Sequence, residues 1–175
     1  MKIHFENQYK TNNNMEDWET MFSKFPPQLR SDIVKVTHGT IISTIKFFQN
    51  RKQDFLIRLI PKLKLNSYFD NDIVYSQGDQ AEELFFIFHG EVLFYKDVSD
   101  VIDMREVVRM EGAFNIPFAS YSAGSYFGDN DALLNKNGQR AYTCICQQDS
   151  QIYSIKTSIL NDILCRYKSI KNLMT

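Results

Sequence analysis

The 175-residue chain is 43 % apolar and carries a formal net charge of −1. Length and apolar content suit one domain with a real core plus a smaller appendage, and exclude a disordered chain. The charge excludes a general nucleic-acid binder, which needs a basic surface to neutralise phosphates, but leaves room for a local basic pocket holding one small anion.

Residues 1–14 end in Asn12-Asn13-Asn14 and read as a flexible lead-in. Asn14 suits a helix cap, with Glu16 and Asp17 favourable in the first turn. Trp18, Met21, Phe22 and Phe25 then recur at helical spacing. Pro26-Pro27 stops that helix and starts the next. Leu29, Ile33 and Val36 continue an apolar face, and Ile41, Ile42, Ile45 and Phe48 resume it beyond Gly39, which is expected to end or bend the helix. Phe55, Leu56, Leu59 and Ile60 mark a short helix that Pro61 kinks or ends. Residues 15–60 therefore form a helical linker.

The texture changes near residue 64, and 61–175 read as a second unit. Short apolar runs alternate with turn signals: Ile73 to Tyr75 then Gly78-Asp79, Leu84 to Phe88 then Gly90, Val92 to Tyr95 then Asp97. Close spacing with glycine turns indicates an antiparallel roll or barrel. Leu84 to Phe88 is apolar on both faces, as a strand buried inside would be. Val101 to Met110 reads as an extra strand or hairpin arm, Ser120 to Asp131 as a loop. Arg140 to Cys146 and Gln151 to Ile155 are the last strands. Thr157 to Tyr167 is an amphipathic helix, and a further turn or two follows before Thr175. The fold class is α+β.

No apolar run approaches the roughly 20 residues of a membrane span, and MKIHFENQYK lacks a signal-peptide stretch, so a cytoplasmic location is expected. Cys144, Cys146 and Cys165 are an odd, sparse set that fits free thiols. Cys144 and Cys146 share a face, but His4, His38 and His89 are scattered, so neither a metal site nor a resident cofactor is expected. No Ser-His-Asp or Cys-His set can be assembled, and no Walker or dinucleotide signature is present, so the chain does not read as an enzyme.

Three segments carry a resemblance. Asp72-Ile73-Val74-Tyr75-Ser76-Gln77-Gly78-Asp79 leads into Leu84-Phe85-Phe86-Ile87-Phe88-His89-Gly90-Glu91-Val92. Gly124-Ser125-Tyr126-Phe127-Gly128-Asp129 precedes Ala132-Leu133-Leu134. Arg140-Ala141-Tyr142-Thr143 follows. Together, over about residues 53–167, these resemble the cyclic-nucleotide-binding domain family: a β-roll, a phosphate-binding cassette with a short helix, and C-terminal helices. Leu29-Arg30-Ser31-Asp32-Ile33-Val34 and Phe47-Phe48 look like the helical linker of cyclic-nucleotide-gated, hyperpolarisation-activated and ether-à-go-go type cation channels.

The resemblance implies a site of Gly128, Asp129, Leu133, Arg140, Ala141 and Tyr142. Gly128 lets the backbone approach a phosphate at the short helix Asp131 to Leu134, and Arg140 supplies a guanidinium with paired donors. Asp129 accepts from the ribose hydroxyl or, equally, caps the helix. Ala141 lacks a hydroxyl for guanine, so cAMP is expected at least as readily as cGMP.

Other features point to a ligand-free interaction module. Asp129 stands where the family has glutamate, and the Gly128-to-Arg140 interval is long. Asn130 and Asp131 add polarity. Tyr142, on Arg140's face by strand alternation, is placed to fill the pocket, with Arg140 pairing to Asp129 or Asp131. The family closes its pocket with a long C-terminal helix, of which Ser169 to Met174 is a stub here: another chain supplies the lid, the sequence is a fragment, or no lid is needed. Other subunits are the expected partners, through the linker or the 97–119 insertion.

Overall fold

The computed structural model describes residues 20–96, 117–134 and 138–166. The lead-in, Trp18, the arm over Val101 to Met110, most of the 97–119 insertion and the turns after Arg166 lie outside the described residues.

Residues 20–24 are helical. Pro27 then opens α1 (Pro27–Thr44), its missing N–H harmless in a first turn. A 3₁₀ turn (Lys46–Phe48), α2 (Gln53–Leu59) and a second 3₁₀ turn (Ile60–Lys62) complete the helical part. Eight strands follow: β1 (Lys64–Tyr68), β2 (Ile73–Tyr75), β3 (Glu83–His89), β4 (Glu91–Tyr95), β5 (Pro117–Ser122), β6 (Tyr126–Phe127), β7 (Thr143–Cys146) and β8 (Ser150–Lys156). Helix α3 (Thr157–Leu164) closes the described chain. The strands form two antiparallel sheets, ordered β1-β8-β3-β6 and β2-β7-β4-β5. This is the expected α+β architecture, helices first and then a β-roll.

Strand β3 explains the layering. Its side chains alternate between the two faces of the sheet. Phe85 and Ile87 point between the sheets and join Tyr75, Val92, Phe94, Phe127, Cys144, Cys146 and Ile152. Leu84 and Phe86 point the other way, into a second core built with Ile41, Ile45, Phe47, Phe48, Phe55 and Leu59 of the helical part and Leu160 and Leu164 of α3. Phe47 and Phe48 lie 5.3 and 4.9 Å from the Phe86 ring, within the range of favourable aromatic contact. Phe88 is only half-buried, because the helical layer thins beyond Phe86.

Several local expectations change. Gly39 does not end the helix: α1 runs through it for 18 residues, and a Cβ there would meet nothing within 4 Å. The α1 face turned to the core carries Ser31, Val34 and Ile41, while Leu29 and Val36 are exposed. Of the preceding stripe, Phe22 is buried, Phe25 packs against the same core and Met21 is exposed. The segment 120–131 is not a loop, since it holds the end of β5, then β6 and the start of a helical turn. β5 is a sheet edge with little buried surface, so its sequence has no strong alternation to betray it. β1 is likewise an edge strand, paired only to β8.

Cys144 and Cys146 share the buried inner face as expected, and both are free thiols. Burial pushes the Cys144 thiol up, and that of Cys146 up to about 11, which favours the protonated thiol over the nucleophilic thiolate at neutral pH.

Because Phe86 is fully buried between two layers, Phe86→Ala is expected to cost about 3–5 kcal/mol. Chemical denaturation of the wild type and the variant measures this directly. A loss below about 1 kcal/mol would mean that the helical layer does not depend on β3.

Candidate functional site: the Gly128–Arg140 cassette

The cassette is built by backbone constraints. After β6 the chain turns at Gly128, with φ +86°, a conformation costly for any residue with a Cβ. It then enters a single wide helical turn, Asn130–Leu134, which carries Leu133. The Ala132 N–H donates to the Gly128 carbonyl at 3.1 Å. Asp129 stands half-buried at the entrance of this turn, the position of a helix-capping acid.

Arg140 is held from a different direction. Its N–H donates to the Asp79 carbonyl at 2.8 Å, and its own carbonyl accepts from the Gly78 N–H at 2.9 Å. The Ala81 N–H donates to Gly138 at 2.8 Å. This short ladder against the β2–β3 turn places Arg140 before β7, which begins only at Thr143. The expected strand from Arg140 to Cys146 is therefore three residues shorter. Strand alternation consequently does not fix the relation between Arg140 and Tyr142.

The guanidinium lies inside the roll, and the residue is 3 % exposed. Nη1 donates to the Gly128 carbonyl at 3.1 Å, and Nη2 donates to the Glu83 carbonyl. The carbon of the guanidinium sits 4.3 Å from the Tyr75 ring centroid and 5.3 Å from that of Phe85. Such contacts are worth about 2 kcal/mol or more when desolvated. Nε is buried with no acceptor among the described residues. No carboxylate oxygen of Asp129 or Asp131 comes within 4 Å of the guanidinium nitrogens, so the expected ion pair is not formed. Among the described residues the guanidinium's direct partners are two carbonyl oxygens and two ring faces, and the Asp131 carboxylate acts on it only from beyond ion-pair distance.

Gly128 and Arg140 are thus brought into direct contact. A Cβ at residue 128 would lie 2.7 Å from Arg140 Nη1, so glycine is required by proximity as well as by φ. Asp131 is buried beside them, and its carboxylate accepts from the Ala141 backbone N–H. Burial raises its pKa, against the lowering by that hydrogen bond and by Arg140.

Tyr142 is half-buried and packs against the inter-sheet core, its ring 4.6 Å from that of Phe118 on β5. It does not touch the Arg140 guanidinium through any ring contact. From Arg140 a file of aromatic rings, Tyr75, Phe127 and Phe94, leads to Phe118 and Tyr142 at the surface. Sequence reasoning missed Tyr75, Phe85 and Phe118 as neighbours of the site. It also missed Glu83, which acts through its carbonyl and leaves no residue-type signal.

A family model described as the cyclic nucleotide-binding domain matches residues 65–167, more than half of the chain. The chain belongs to the cyclic nucleotide-binding domain family. It is similar to the rat potassium/sodium hyperpolarization-activated cyclic nucleotide-gated channel 1, with 22 % identity over 97 % of this chain and 17 % of the relative. The mouse channel 2 is 21 % identical over 97 % of this chain and 18 % of its own length. The mouse cyclic nucleotide-gated channel alpha-4 is 23 % identical over 93 % of this chain and 26 % of its own length. The chain thus spans about a sixth to a quarter of the length of these relatives. Among the described residues no helix is long and apolar enough to cross a membrane, and no group of three or more His, Cys, Asp or Glu is placed to hold a metal.

Two measurements follow for this domain. Gly128→Ala is expected to lower the thermal midpoint, since both the strained φ and the close guanidinium must be accommodated; an unchanged midpoint would detach Arg140 from the cassette backbone. Asp131 has a folded pKa above its unfolded value of about 3.9. Its contribution is therefore fully present below that value and lost as pH rises through the folded pKa. Stability of the wild type relative to Asp131→Asn should fall as pH rises above about 4; a difference that grows with pH would reverse the assignment.

Proposed function

We propose that this chain is a regulatory module that binds a cyclic nucleotide, cAMP at least as readily as cGMP, and transmits occupancy to its N-terminal helices, as part of a channel-type assembly. The observation that carries this reading is the buried guanidinium of Arg140 beside the Gly128 turn, with no carboxylate in direct ion-pair contact among the described residues. Removing a cation from water without an opposing charge is costly. An incoming phosphate supplies that charge, with paired oxygens matching the guanidinium fork. Ala141 offers no hydroxyl to a guanine, which supports cAMP. Asp129 and Leu133 contribute from the cassette side, and the half-buried Tyr142 with Phe118 offers the purine an apolar wall.

A junction between roll and helices supports the coupling. The Lys46 N–H donates to the Gly124 carbonyl at 3.0 Å. Gly124 has φ +89°, and a Cβ on it would sit 2.8 Å from the Thr44 carbonyl. The Phe47 ring lies 5.3 Å from Tyr126, the residue before Phe127 and Gly128. A shift of the cassette is thereby felt where α1 ends.

A second reading, a ligand-free interaction module, has its own support. Arg140 already donates to two carbonyls, and Tyr142 rests on Phe118 at the mouth of the roll.

Calorimetric titration with cAMP and cGMP separates the two. The sensor reading expects saturable cAMP binding weakened roughly tenfold to a hundredfold or more in Arg140→Ala, the scale of a charged hydrogen bond. Since Arg140 also supports the fold, Arg140→Lys is the companion variant; it keeps the charge and should retain part of the affinity. Silence of the native chain at millimolar cAMP, with binding appearing in Tyr142→Ala, would establish the second reading.

A further inference from the structure

Asp131 is a buried acid, 7 % exposed, in the part of the roll where a phosphate would bring a negative charge of its own. It lies on the wide turn Asn130–Leu134 that follows Gly128. Its carboxylate accepts from the backbone N–H of Ala141, the residue next to Arg140. The Gly128 carbonyl in turn accepts from Arg140 Nη1 at 3.1 Å and from the Ala132 N–H at 3.1 Å. Gly128, Asp131, Arg140 and Ala141 are thus one connected set.

Two donors of that set suit a phosphate, the Arg140 fork and the adjacent Ala141 N–H. The second is taken by an anion that the chain itself provides. Among the described residues, three other charged or titratable groups act with Asp131. Arg140 favours its ionised form from beyond ion-pair distance, Asp129 of the same cassette opposes it, and the Tyr75 hydroxyl faces it from β2. Burial keeps that hydroxyl neutral, so Arg140 is the one cation of the group. A phosphodiester entering here would set a further negative charge beside Asp131 in a poorly hydrated interior, where like charges disfavour ionisation. A proton relieves the conflict. The neutral carboxyl no longer repels the phosphate, and its O–H becomes a hydrogen-bond donor.

We infer that Asp131 is a tethered carboxylate holding the phosphate's place on the Ala141 N–H, and that cyclic-nucleotide binding displaces it with uptake of one proton; this rests on the nucleotide-binding reading of the pocket. The proton comes from solvent and ends on a carboxylate oxygen of Asp131. Burial already raises the pKa of this group, so it takes up a proton more readily than an exposed aspartate does. The bound phosphate raises that pKa further, and uptake is largest between the free and the bound value. Affinity therefore falls as pH rises, by at most about tenfold per pH unit, the limit for one linked proton. Below the free value Asp131 is already neutral, and the affinity levels off.

The test is calorimetric titration of the full chain with cAMP, repeated in buffers of different ionisation enthalpy and at several pH values around neutrality. The dependence of the heat on the buffer gives the number of protons taken up. The wild type is expected to take up protons on binding, to a limit of one, and to lose affinity as pH rises. Asp131→Asn removes the charge and keeps the size. It should bind without proton uptake, with a flat pH profile, and severalfold more tightly than the wild type at the alkaline end. Should Asp131→Asn fail to fold by circular dichroism, Asp131→Ser removes the same charge. Binding of cAMP by the wild type without proton uptake overturns the role of Asp131 and leaves the nucleotide reading standing. Uptake that persists in the charge-removing variant does the same, since it belongs to another group, a histidine included. A native chain silent at millimolar cAMP beside an Asp131→Asn variant that binds supports the role in its strongest form, a carboxylate that keeps the site closed. Silence of both at every pH removes the nucleotide reading and the role of Asp131 with it.

Discussion

Strand β3 is apolar on both faces, and most of the structure exists to cover those faces. A strand at a sheet surface alternates apolar and polar residues, but Leu84 to Ile87 gives water neither side. One face is covered by the opposing sheet through Val92, Phe94 and Cys146, the other by the helical part through Phe47, Phe48 and Phe55. The helices are consequently not a detachable leader. Removing them would uncover Leu84, Phe86 and Ile155 together, a loss of roughly 1.5–3 kcal/mol for each large side chain returned to water.

The same strand builds the site. Its Glu83 carbonyl accepts from Arg140, and its Phe85 ring lies beneath the guanidinium. Arg140 is thus held by the element whose opposite face carries the helices. Cassette, cation and linker meet across one strand thickness. A hydrogen bond from the Lys46 N–H to the Gly124 carbonyl joins roll and linker a second time, through backbone alone.

Charge is sparse inside the roll. The Arg140 guanidinium lies among two carbonyl oxygens and two ring faces, with Asp131 buried nearby.

The sequence by itself determined the class of fold and the order of its parts. The change from helical to alternating periodicity near residue 64, the glycine turns and the two-sided apolar run of β3 are local signals, and each is written in neighbouring residues. It also marked Gly128 and Arg140, through the resemblance of the segments that carry them to the family's cassette, although the interval between them is longer than the family's. What it misjudged were features whose cause is distant. Gly39 is a helix breaker by local propensity, yet α1 continues through it, fixed by packing of Val34 and Ile41 on either side. Edge strand β5 has almost no buried face, so only its pairing to β4 defines it. The surroundings of Arg140 were decided by tertiary structure alone. A guanidinium finds its partners by proximity, and here they are two backbone carbonyls and two rings contributed from 12 to 65 residues away in the chain. A carbonyl has no residue type, so no reading of side chains along a sequence can reveal it as an acceptor.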